Sequence, residues 1–119
     1  MKQLKLFILL LFISFISCDK NVKFNKLDWQ KNEDGFYIHR EEMIDDLIKN
    51  YPLETLNYKE IIKLLGKPEN YSDEEAGIIY YNIETYYGQD IDPIFVKNLK
   101  IKTNNISKIN TIILDEYKQ

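Results

Sequence analysis

The sequence predicts an α+β fold: two N-terminal helices packed on a three-stranded antiparallel β-meander, in two layers. Residues 40–65 carry apolar side chains at helical spacing and end in Leu64-Leu65-Gly66-Lys67-Pro68. Residues 77–87 and 94–114 are instead dense in β-branched and aromatic residues. A meander of this kind buries one face and needs a cover, which the helix pair supplies.

Met43, Ile44, Leu47 and Ile48 form an i, i+1, i+4, i+5 stripe that predicts a helix over Arg40–Lys49. Glu41, Glu42, Asp45 and Asp46 fill its other side, and the early acids complement the positive N-terminal dipole. Tyr51-Pro52 ends it, because proline cannot continue the hydrogen-bond ladder. Asn57 caps the second helix, with Glu60 three residues on as in a capping box. Ile61, Ile62, Leu64 and Leu65 are its buried stripe; Gly66 takes the C′ position and Pro68 prevents continuation. The first strand is Gly77–Tyr87, with Ile79, Tyr81, Ile83 and Tyr87 buried and Asn82 and Glu84 opposite. Gly88–Pro93 is a loop. In the second strand, Ile94–Lys102, Leu99 and Ile101 alternate with Asn98, Lys100 and Lys102. Thr103-Asn104-Asn105 turns the chain, since Asn tolerates positive φ. Ile106–Leu114 is the third strand, followed by a polar tail.

The N-terminus has a different character. Lys2 and Lys5 precede an apolar run, Leu6–Ile16, broken only by Ser14. Small Ser17 then precedes Cys18, and Asp19-Lys20-Asn21 are polar. A charged start, a short apolar run and a small residue before the cut describe a secretory signal, too short for the roughly 20 apolar residues of a comfortable span. Cys18 is the only cysteine, so no internal disulfide forms. Its place at the end of the run points to a modified thiol. The alternatives are a plain signal peptide or an uncleaved anchor with an incidental cysteine. The organisation expected is a signal peptide over 1–17, a lipidated Cys18 and polar tether over 18–35, and one domain over 36–119. Phe24, Leu27 and Trp29 are candidates for packing back onto that domain.

Removing 1–17 leaves 102 residues, enough for one modest core. Lys2 and Lys5 leave with the peptide, so 14 basic side chains face 19 acidic ones, a formal charge of −5. That balance argues against nucleic acid and against polybasic binding to anionic lipid. Membrane attachment is expected through the lipid anchor alone.

Phe15-Ile16-Ser17-Cys18 resembles a bacterial lipobox, with Phe15 in place of the usual Leu. The resemblance implies a diacylglyceryl thioether on Cys18, and a two-chain anchor suffices for stable attachment. Leu64-Leu65-Gly66-Lys67-Pro68-Glu69, then a Tyr-rich strand ending in Tyr86-Tyr87-Gly88, then an apolar hairpin, resembles small lipoproteins of the SmpA/OmlA (BamE-like) type. The wider fold group includes β-lactamase-inhibitor-like domains. The likeness spans about Arg40 to Leu114. It implies a non-catalytic accessory protein of the bacterial cell envelope with a protein partner, and assigns no binding residues.

No catalytic signature is present. His39 is the single histidine and reads as a solvated helix-boundary residue. Glu41/Asp45 and Glu42/Asp46 are like-charge i, i+4 pairs on a solvated face. Asp90 and Asp92 read as turn formers before Pro93, and Asp73-Glu74-Glu75 as a solvated loop. No metal or cofactor is expected. Tyr80 and Tyr86, placed together opposite Ile79 and Tyr81, are the candidate protein-binding surface, weighed against tyrosine as simply a good strand residue. Three functions compete: an envelope lipoprotein that binds a protein, an inhibitor-like module against a hydrolase, and a small hydrolase or carbohydrate-binding protein.

Overall fold

The computed structural model describes residues 22–89, 91–104 and 106–119. Asn25 opens a short helix, α1 (Lys26–Gln30), by accepting from the Asp28 N–H. Two two-residue strands follow, β1 (Asn32–Glu33) and β2 (Phe36–Tyr37), paired antiparallel. Asp34 and Gly35 turn between them, both at positive φ (52° and 88°). Two successive positive φ values match the twist of a tight hairpin, and Asp-Gly is the dipeptide that accepts them.

Helix α2 (Arg40–Asn50) buries Arg40, Met43, Ile44 and Leu47 and closes with Tyr51 N–H on Leu47 O. A 3₁₀ turn, Leu53–Thr55, inserts Leu53 into the core. Helix α3 (Tyr58–Leu65) starts with the full capping box between Asn57 and Glu60 and buries Ile61 and Leu65. Gly66 follows at φ +86°, where a Cβ would also strike the Gln30 side-chain amide.

Strands β3 (Ile78–Tyr87), β4 (Pro93–Lys102) and β5 (Thr111–Lys118) form one antiparallel sheet in that order. The fold is thus α+β, with the helices ahead of the meander as their patterns require. Ile79, Tyr81, Ile83, Leu99 and Ile101 line the sheet's inner face and join Met43, Ile44, Leu47, Leu53, Ile61 and Leu65 in one buried cluster. The Tyr81 hydroxyl stays satisfied there by donating to Gly66 O (2.8 Å).

Trp29 is fully buried and Phe24 packs against the cluster, as expected of candidates for packing back onto the domain, whereas Leu27 is exposed. The core therefore reaches upstream of residue 36, into the stretch expected as tether. Two boundaries of the third strand differ from those read in the sequence. The third strand begins at Thr111 rather than Ile106. Asn110 is buried, its Nδ2 donating to Leu53 O (2.9 Å) and Leu56 O (2.6 Å). Those bonds hold the chain just ahead of Thr111 against the 3₁₀ turn, and Asn104 Oδ1 accepts from the Ile106 and Ser107 N–H groups. The strand then runs through the supposed polar tail to Lys118. Among the described residues, no helix is long and apolar enough to cross a membrane. The signal segment and Cys18 lie outside the described residues.

Candidate functional site

Cross-strand register fixes which side chains share a face, because directly paired residues point the same way. Tyr80 pairs with Lys100 and Asn82 with Asn98; Lys100 and Asn98 pair in turn with Ile113 and Asp115. Leu99 and Ile101 alternate with these residues and are buried, so Tyr80 lies on the sheet's outer face. Beyond it, Thr85, Val96 and Tyr117 form a further row. The loop before β3 lays Tyr71 over this face. Its hydroxyl donates to Asn98 Oδ1 (2.9 Å), and its ring lies 5.2 Å from that of Tyr80. Lys100 Nζ sits 5.6 Å from the Tyr80 ring centroid. Burial, with Glu69 nearby, pushes the Tyr71 phenol up to about 12. Tyr71 and Tyr117 are nonetheless 55% and 52% exposed. The result is an aromatic face interleaved with amide, lysine and carboxylate groups; its tyrosines are of the residue type enriched at protein interfaces.

Tyr86 does not share this face, contrary to the alternation read in the sequence. Asn82 pairs with Asn98 but Glu84 pairs with Lys97, so Ile83 is an extra residue in β3. Such a bulge reverses the alternation beyond it. Glu84 and Tyr86 therefore turn to the helix side, where Lys97 Nζ reaches Glu41 Oε2 (3.0 Å). Tyr86 pairs with Phe95, ring centroids 6.1 Å apart. It lines a shallow cleft of about 200 Å³ with Phe36, Ile38, Glu41 and Glu84. A hydrogen bond to Glu84 raises its phenol above the ordinary tyrosine value. Tyr87, expected to be buried, is exposed and lies edge-on to Phe36 (6.0 Å), past a second register shift.

Arg40 is the charged residue held most closely. Nε donates to Trp29 O (2.9 Å) and Nη1 to Asn82 O (2.8 Å), with Glu69 Oε1 at 3.5 Å. Its guanidinium lies over the Tyr37 and Trp29 rings, 3.3 and 4.7 Å from their centroids. Desolvation by burial lowers its pKa, opposed by Tyr37 and Glu69. These contacts all go to the fold, which assigns Arg40 a structural role.

Among the described residues, the remaining candidate groups do not converge. His39 Nδ1 is 2.9 Å from Glu42 Oε1 on an exposed turn. Asp73 Oδ1 accepts from the Ala76 N–H as a turn former. Asp90 lies outside the described residues, and Asp92 stands in the loop before Pro93. Among the described residues, no three His, Cys, Asp or Glu side chains are grouped to hold a metal. No family model matches the chain, and neither a curated protein nor a solved structure matches it.

Tyr80 is thus the one member of the expected pair on the outer face, where Tyr71 and Tyr117 join it. Tyr71 gave no signal in the sequence because it sits in a polar loop, and its position depends on the bond to Asn98, 27 residues away.

Proposed function

We propose that the chain is a non-catalytic envelope lipoprotein, anchored to a bacterial membrane through Cys18, whose domain binds a protein through the outer sheet face. The observation that carries the binding role is that face itself: Tyr71, Tyr80 and Tyr117 standing partly solvated on a rigid sheet among Asn98, Lys100 and Asp115. Tyrosine offers a large contact area with few rotatable bonds and a hydroxyl that stays satisfied at a wet rim. The Lys2/Lys5 start, the apolar run and the position of Cys18 support the anchor. The likeness to SmpA/OmlA-type lipoproteins agrees with an accessory role and supplies no partner.

A photo-crosslinker at Ile113, in the same cross-strand row as Tyr80 with Lys100 between them, tests the binding role in intact cells. The expected result is one adduct of defined mass, retained in the unaltered face. Tyr117→Ala and Tyr71→Ala should each weaken it, by roughly tenfold if either is a hot spot. Adduct yields unaffected by both substitutions would count against this face. The anchor is checked separately: Cys18→Ser should leave unprocessed precursor and abolish fatty-acid labelling. An inhibitor-like role would use the same exposed tyrosines, and screening the purified domain against envelope hydrolases separates it from an accessory role.

A further inference from the structure

Val22, the first described residue, is held to the domain by its backbone. Its N–H donates to Glu42 O (3.0 Å), and the Phe24 N–H donates to Asp46 Oδ2 (2.8 Å). The Phe24 bond, reinforced by Asn50, holds the Asp46 carboxyl below the ordinary carboxylate range. Phe24 then turns inward, its ring 5.1 Å from Tyr51 and 5.7 Å from Trp29. The attachment is therefore to α2, and to a defined side of it. Arg40, Met43, Ile44 and Leu47 bury one side of α2. At about 3.6 residues per turn, Glu42, Asp45, Asp46 and Lys49 occupy the opposite side. Val22 is 41% exposed and bonded on that outward side.

Four residue steps separate Cys18 from Val22. Whatever their conformation, they span at most about 14 Å. An eighteen-residue tether would have let the domain tumble at a distance; four residues do not. The width of α2, about 10–12 Å with its side chains, and then the sheet stand between Val22 and the outer face that carries Tyr80.

We infer that in the anchored protein the Glu42–Asp45–Asp46–Lys49 side of α2 faces the bilayer surface and the outer sheet face points away from it. The inference rests on the lipid-anchor reading of Cys18. Three of the four side chains on the facing side are acids, which anionic headgroups repel. The short covalent leash, rather than attraction to lipid, sets the orientation. A partner on the outer face is then met from the aqueous side of the domain.

The test uses the full lipidated protein in vesicles carrying headgroup-quencher lipids. With Cys18 consumed as a thioether, a single thiol is introduced as Asp45→Cys on α2 or Asp115→Cys on the outer face and labelled with a fluorophore. The expected result is strong quenching at position 45 and little at 115. A ten-residue Gly/Ser insert between Asn21 and Val22 adds about 16–19 Å of mean reach. It should erase the difference while flotation with the vesicles persists. Flotation with equal quenching at both positions, or a difference that survives the insert, overturns the orientation alone. Failure of the parent protein to carry fatty acid and to float overturns the anchor and the orientation with it.

Discussion

The two long edges of the sheet are finished in different ways. The outer edge of β3 is closed by the protein itself. Asp73 and Ile78 exchange both backbone hydrogen bonds at 2.8 Å, Glu69 N–H donates to Tyr80 O, and Tyr80 N–H donates to Ser72 Oγ. Asn82 O accepts from Arg40, and its N–H donates to Glu69 Oε1. The outer edge of β5 has only β4 on its other side, and Asp115, Glu116 and Lys118 stand exposed along it. Charged side chains on an edge strand disfavour strand-to-strand association. One edge is thus blocked by structure and the other by solvation, and stability should be concentrated at the first.

Breaking the β3 side should give the largest effect. Arg40→Met leaves the carbonyls of Trp29 and Asn82 without their donor and Glu69 without its cation. We expect a loss of about 3 kcal/mol or more in urea unfolding; a loss near zero would show that this edge is no anchor. A second effect is a matter of pH. Tyr71, in the closing loop, keeps its phenol protonated to about 12 in the folded state, whereas an unfolded tyrosine ionises near 10. The raised folded value means this contribution is complete below about pH 10 and is lost as pH climbs toward 12. Tyr71→Phe should soften that alkaline decline, read from unfolding midpoints between pH 9 and 12. The smallest effect belongs to β5. Leu114 faces the helix side yet is 37% exposed, so Leu114→Thr should change stability by only about 0.5 kcal/mol in the same urea assay.

The parts of the fold that were legible are those whose signals are local. The α2 stripe, the Asn57/Glu60 capping box and the Gly66 stop all act within one or two turns, and each stands where its pattern placed it. The inner face of β3 was equally readable as far as Ile83. What escaped depends on contacts made across the chain. Arg40 looks like a solvated helix residue until Trp29, Tyr37 and Asn82 close around it. Asn110 looks like a turn residue until Leu53 and Leu56 present their carbonyls. The Asp34-Gly35 hairpin is the exception: its dipeptide was a usable signal. For the candidate surface, Tyr80 was readable from alternation, while Tyr86 was misplaced because nothing in the strand announces its extra residue.

That extra residue makes β3 a strand with two reading frames. Upstream of Ile83, even-numbered positions belong to the outer face; downstream, they belong to the helix side. Gain of one residue in β4, between Lys97 and Asn98, would give Ile83 a partner, restore unbroken alternation in β3 and carry Tyr86 across to Tyr80's side without substituting any residue. In this family of shapes a change in length at one position can remodel two surfaces at once. Divergence of the surface among descendants of this chain therefore need not be sought in substitutions alone.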